Sequence, residues 1–211
     1  MNVVFDALGT LFEPTPLRER LGEAPFEAWF ERTLQSAASL TMLGEFFPFA
    51  QLARSTLATT CAVLGLDVDP DDVVAQLGRL PPAADARAAL ELLQESGGRA
   101  FLLTNGGRAT GEELVRRAGL CELVERVFGV DEVGAYKPDP RPYRIVLDEL
   151  GAEATLVAAH AWDVVGAVRA GMHGVWVSRH ERTWPFPQET APHGTAPDLV
   201  EAVRSAFTGT P

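Results

Sequence analysis

The chain has 211 residues, enough for one α/β domain or a domain carrying a smaller second lobe, and too few for more. Hydrophobic residues make up 46% and charged residues 22%, a globular balance that excludes the long disordered and fibrous classes. Eighteen Lys and Arg stand against 29 Asp and Glu, a net charge of −11 that opposes a nucleic-acid or anionic-membrane surface, so any anionic partner needs a local positive cluster.

In chain order, residues 3–5 form a β-branched and aromatic run that ends at Asp6 and turns at Gly9-Thr10, which predicts a buried strand delivering a carboxylate. Phe26, Trp29, Phe30, Thr33, Leu34 and Ala37 then fall at helical spacing, as do Ala50, Ala53, Leu57, Cys61 and Leu64. Asp69-Pro70 opens a third helix with an apolar face over residues 73–80, and Pro81-Pro82 ends it. Beyond this block strands and helices alternate. A helix carried by Ala86, Ala89, Leu90 and Leu93 leads to a strand at 100–103 and a helix opened by a Thr110/Glu113 capping box. A strand at 127–130, a helix from Asp139-Pro140, strands at 155–159 and 175–178 and a final helix at 197–207 complete the pattern. The Pro-rich stretch 184–197 reads as a surface loop.

The expected fold is α/β, a Rossmann-like parallel sheet of five or six strands interrupted after its first strand by a helical cap: core at residues 1–13 and 84–211, cap at 14–83. Cys61 and Cys121 show no metal or redox spacing and read as two buried free thiols. The first 12 residues lack a basic region and carry Asp6, and no apolar run reaches the length of a membrane span, so a soluble, cytoplasmic setting is expected.

Asp6, Thr104, Lys137 and Asp163 each stand at or just beyond the end of a predicted strand, and a parallel sheet gathers such ends at one edge. A carboxylate held ionised there by Lys137 can act as a nucleophile and form an ester that water cleaves. Asp163 also reads as a helix N-cap, and Thr104 as a plain strand-end hydroxyl.

Four segments, Val4-Phe5-Asp6-Ala7-Leu8-Gly9-Thr10-Leu11-Phe12, Thr104-Asn105-Gly106, Tyr136-Lys137-Pro138-Asp139 and His160-Ala161-Trp162-Asp163, resemble in order and spacing the haloacid dehalogenase superfamily, most of all its L-2-haloacid dehalogenase branch. The resemblance implies Asp6 as nucleophile, Thr104 as the hydroxyl that binds the reacting group, Lys137 as the partner of Asp6 and Asp163 as the fourth-motif acid. It places Leu8, Leu40, Asn105, His160 and Trp162 around the substrate. Several positions depart from the family's patterns. Phosphatases of the superfamily carry a second Asp where this chain has Leu8 and a magnesium-binding acid where it has Ala158, so phosphate-ester hydrolysis and a metal site both lose a residue; Asp6 and Asp163 would remain as ligands if magnesium were bound. The dehalogenase branch has Tyr at the Leu8 place, Ser at Ala158 and Asn at His160, and its halide-receiving Arg falls, counted without gaps, on Leu40. Arg18, Arg20, Arg32 and Arg54 are alternatives that also read as solvated surface charges. His160 reads either as a group that activates water or binds a carboxylate, or as a packed structural histidine; Trp162 as a wall of the site or as core; His173, His180 and His193 as surface or loop.

The expected function is thus metal-free hydrolysis of a small organic acid through an Asp6 ester. A magnesium-dependent phosphatase of degenerate motif and a catalytically silent binding protein are the alternatives. The expected partners are a small, anionic molecule and, through exposed apolar cap residues, a second copy of the chain.

Overall fold

The structure is a computed structural model that describes residues 1–151 and 153–208. The expected boundary at residue 211 lies outside the described residues. Six strands, β1 (Asn2–Asp6), β2 (Arg99–Thr104), β3 (Val124–Gly129), β4 (Thr155–Ala158), β5 (His173–Val177) and β6 (Gly194–Ala196), form one parallel sheet in the order β3-β2-β1-β4-β5-β6. The strand order reverses beside β1, so Asp6 ends the strand at the switch point, where open α/β sheets form their crevice.

Period-two alternation sorts the two faces of the sheet. Val3, Phe5, Leu102, Val157 and Val175 pack with α5 (Ala86–Glu95), α6 (Arg108–Arg117) and α9 (Leu199–Thr208), whereas Val4, Phe101, Leu103, Leu156 and Trp176 pack with α7 (Pro140–Leu150) and α8 (Ala161–Ala170).

Between β1 and α5 the chain makes α1 (Thr15–Leu21), α2 (Glu23–Met42), α3 (Phe49–Leu64) and α4 (Pro70–Val74). The seam of α2 and α3 holds Trp29, whose indole N–H donates to Ala53 O (2.9 Å), and a hydroxyl pair, Thr33 and Thr56, 2.7 Å apart. These bonds satisfy polar groups that burial would otherwise penalise. The outgoing and returning chains pair at the neck: Ala83 N–H donates to Leu11 O and Glu13 N–H to Pro81 O, both at 2.9 Å. Arg179, in the loop after β5, clasps both sides of that neck, reaching Glu13 at 2.9 Å and Asp85 at 2.7 Å.

Several local expectations need correction. Asp69 does cap α4, but that helix stops at Val74 and a 3-10 turn at Leu77–Arg79, containing Gly78, replaces its continuation. Helix α6 starts at Arg108 rather than at a Thr110/Glu113 box, because the Asp131 carboxylate accepts from Arg108 N–H at 2.9 Å and starts the helix earlier. Ala50 and Leu64 lie outside the buried stripe of α3, at its two exposed ends. Within the Pro-rich stretch, residues 194–196 form β6 by pairing with β5. Cys121 is exposed, and only Cys61 is buried. His173 belongs to β5 and stacks on His193 with ring centroids 4.0 Å apart. Among the described residues no helix is long and apolar enough to cross a membrane.

Candidate active site

Asp6, at the carboxyl end of β1, is 5% exposed and has a partner for each oxygen. Lys137 Nζ donates to Oδ1 at 2.7 Å. Thr10, in the turn that follows, donates its hydroxyl to Oδ2 at 2.8 Å, and His160 Nδ1 lies 3.3 Å from the same oxygen. Thr10 is itself fixed, since Ala159 N–H donates to its Oγ1 at 2.9 Å. The Lys137 ammonium uses its other protons on Asp163 Oδ2 (2.6 Å) and Leu103 O (3.1 Å), and Tyr143 Oη donates to Asp163 Oδ1 at 2.6 Å. Gly166 makes room for this last contact, because a Cβ there would stand 2.6 Å from Tyr143 Oη.

The charges follow from these contacts. Burial raises the Asp6 carboxyl, but Lys137 and then His160 more than offset it and hold the group well below the usual carboxylate range. Burial lowers the Lys137 ammonium, and the two carboxylates more than restore it. For Asp163 burial dominates and the carboxyl is raised, with Lys137 opposing. His160 is lowered by burial and raised further by its hydrogen bond and charge interaction with Asp6, so its proton is held more tightly than usual.

A cavity of about 50 Å³ opens on Asp6. Its wall has Asp6, Leu8, Thr104, Asn105, His160 and Trp162 on the sheet side, and Phe30, Leu34, Phe49 and Leu77 from the helices between β1 and β2. By the volume one water needs, this holds on the order of three or four water-sized groups. Thr104 Oγ1 accepts from Gly106 N–H at 2.9 Å, which leaves its proton for a ligand. Asn105 Oδ1 accepts from Lys137 N–H at 2.8 Å, and its buried Nδ2 has no partner among the described residues. An unsatisfied buried donor beside a cavity is poised for an acceptor.

The sheet edge thus gathers Asp6, Lys137 and Asp163 into one ion cluster, and Asp163 serves it from the first turn of α8, where His160 holds the N-cap position. Thr104, Asn105, Leu8, His160 and Trp162 meet at the cavity. Leu40 does not: it packs with Ala37, Leu52, Val130 and Tyr136, away from Asp6. The gapless count along α2 selected the wrong helical face, and Phe30 and Leu34 face the cavity instead. The candidate arginines stay outside the cavity wall; Arg18 pairs with Glu23 and Glu27, and Arg54 with Asp71. His180 is exposed in the loop after β5, as expected, with its Nε2 3.2 Å from Gly9 O at the mouth. Glu181 next to it accepts from Ala161 N–H at 2.8 Å and caps α8.

Thr10 and Tyr143 were missed by the sequence reading. Thr10 lies inside the quoted first segment, and Tyr143 follows Lys137 by six residues on the next helix, a spacing with no motif value of its own. Tyr143→Phe is expected to cost about 1–3 kcal/mol in urea unfolding, because it strips a donor from a buried carboxylate. A loss indistinguishable from zero would mean that Asp163 does not depend on this bond.

A cation between Asp6 and Asp163 would need oxygen ligands on several sides. Lys137 Nζ already spans those two carboxylates, and Ala158 supplies no side-chain oxygen. Among the described residues no three His, Cys, Asp or Glu side chains cluster as a metal site.

A family model described as haloacid dehalogenase-like hydrolase matches residues 1–171. The (S)-2-haloacid dehalogenase of Xanthobacter autotrophicus is 31% identical over 190 residues, covering 84% of this chain and 74% of that protein. Haloacetate dehalogenase H-2 of Moraxella sp. (strain B) is 28% identical over 196 residues, covering 84% and 85%. Among solved structures, a crystal structure of an L-2-haloacid dehalogenase covers 98% of both chains with a TM-score of 0.92 and 26% identity. The Xanthobacter autotrophicus L-2-haloacid dehalogenase with chloropropionic acid covalently bound covers 96% of both, with a TM-score of 0.83 and 27% identity.

Proposed function

This chain belongs to the haloacid dehalogenase-like hydrolase family, and from that premise we propose that it hydrolyses the carbon–halogen bond of a small 2-haloacid, with Asp6 as covalent nucleophile and no metal. The observation that carries the reading is the state of Asp6: an ionised carboxylate paired with a buried ammonium, opening on a small and largely apolar cavity. An Asp6 oxygen attacks the carbon that bears the halogen, the new C–O bond forms as the C–X bond breaks, and the halide departs. Water then attacks the ester carbonyl, releasing the 2-hydroxy acid and restoring the carboxylate.

The other residues support this chemistry in stated ways. Asn105 Nδ2 and the Thr104 hydroxyl are donors for the substrate carboxylate. Leu8 offers no proton, which a leaving alkoxide requires and a leaving halide does not, so a phosphate ester fits poorly. Lys137 supplies the positive charge that a metal would otherwise bring to Asp6. The cavity's size favours acids of two or three carbons.

The test is a screen of chloroacetate, bromoacetate, both enantiomers of 2-chloropropionate and p-nitrophenyl phosphate, each with added magnesium and with a chelator. Halide release that ignores the chelator, with the phosphate ester untouched, is the expected result. Phosphate release, or halide release that stops on chelation, overturns the reading.

A further inference from the structure

Asp163, the acid expected from the sequence, has no free oxygen. Its Oδ2 takes Lys137 Nζ and its Oδ1 takes Tyr143 Oη, both at 2.6 Å, its side chain is fully buried, and it does not reach the cavity wall. A water standing against an Asp6 ester meets other side chains.

Among the side chains that line the cavity, His160 is the titratable one besides Asp6. The imidazole is 16% exposed and forms part of both the cavity wall and a wider opening beside it that Arg18, Glu27, Trp162 and His180 also line. Its ring is fixed on three sides. Phe30 and Trp162 flank it with centroids 5.7 and 5.5 Å away, and Gly9, at φ +79°, closes its edge so tightly that a Cβ there would stand 2.9 Å from His160 Cε1. Nδ1 faces the reacting carboxylate, and Nε2 makes no hydrogen bond to the described residues.

We propose that His160, rather than Asp163, takes the proton from the water that cleaves the Asp6 ester. The inference rests on the covalent reading above and assigns its second half. As the water oxygen bonds to Asp6 Cγ, one of its protons passes to the imidazole. The tetrahedral adduct then collapses, the Cγ–O bond to the substrate breaks, and the departing alkoxide recovers the proton from His160. Asp6 is left as a carboxylic acid and loses its proton to solvent.

The charge balance makes the assignment self-timing. With Asp6 ionised, its hydrogen bond and charge hold a proton on His160 against the burial that would remove it. Esterification abolishes that charge, so the imidazole gives up its proton to solvent through the wider opening more readily and can act as a base once there is an ester to cleave. The other charged groups facing it are Lys137 and Asp163 behind Asp6, His180 and Glu181 from the loop after β5, and Arg18, Glu27 and Glu31 around the opening.

The experiment is rapid-quench kinetics with bromoacetate on the unsubstituted protein and His160→Asn. The variant is expected to release one equivalent of halide per protein and then stall, with turnover lower by about 100-fold or more and the acid's added mass retained on the Asp6 peptide. Unchanged turnover overturns the proposal, and so does loss of the halide burst, which would place His160 in the first step. If His160→Asn fails to fold, the unsubstituted protein decides: ester decay must rise with pH through one ionisation in the imidazole range, about pH 5–8, and a flat profile overturns the assignment. If the unsubstituted protein forms no adduct and takes up no heavy oxygen into Asp6 from labelled water, the covalent reading itself falls.

Discussion

Lys137→Met is expected to destabilise the protein by about 3–5 kcal/mol at neutral pH and to remove turnover, because it leaves two buried carboxylates without their shared cation. Methionine keeps most of the lysine stem, so the loss is electrostatic more than steric. All three ammonium protons are used, on Asp6, Asp163 and the Leu103 carbonyl, so the substitution breaks three contacts at once. The pH dependence has a definite sign. In the unsubstituted protein Asp6 is held low, so its contribution to stability is present above its unfolded value, about pH 4, and is lost as the pH falls through the folded one. Without Lys137, burial raises both carboxyls, and a raised carboxyl contributes stability that is full below about pH 4 and is lost as the pH rises through the folded value. The two proteins should therefore lie closer together in acid than at pH 7. Urea denaturation at both pH values measures the gap, and an equal gap at both would refute a buried charge cluster.

Asp6→Asn is expected to lower turnover by a factor on the order of 10⁴ or more, since a neutral amide cannot form the ester and a missing nucleophile is not replaced by its neighbours. The amide keeps the shape of the carboxylate and an oxygen for Lys137, so the variant should fold and still bind a 2-haloacid in equilibrium dialysis. Turnover that survives the substitution places the chemistry elsewhere. Turnover present in the unsubstituted protein and lost in Asp6→Asn also separates this enzyme from a silent member of the family, in which there would be no turnover to lose.

Strand-end chemistry was legible because it depends on order alone: wherever a parallel sheet forms, Asp6, Thr104, Lys137 and Asp163 arrive at the same edge. The alternation of strands and helices was legible because β1, β2, β4 and β5 each carry a short apolar run, whereas β3 carries the charged pair Glu125-Arg126 near its start. Leu40 was misplaced because each helical residue turns the side chain by about a quarter-circle or more, and only packing fixes which face of α2 meets the sheet. Residues 194–196 carry too little apolar pattern to announce a strand, and β5 supplies the pairing. Tyr143 illustrates a third limit. Its role comes from a hydrogen bond across two helices, and no property of the residue alone distinguishes it from a core aromatic.

Three consecutive residues after β5 connect parts of the molecule that the chain otherwise keeps far apart. Arg179 grips both strands of the neck, His180 abuts the Gly9 turn, and Glu181 holds the start of α8 next to His160. Neck and imidazole are thereby tied to one short stretch of chain. On the reading proposed above, the stretch that anchors the base of the inserted helices also positions the imidazole, so a substitution there should alter the fit of the acid and the cleavage of its ester together.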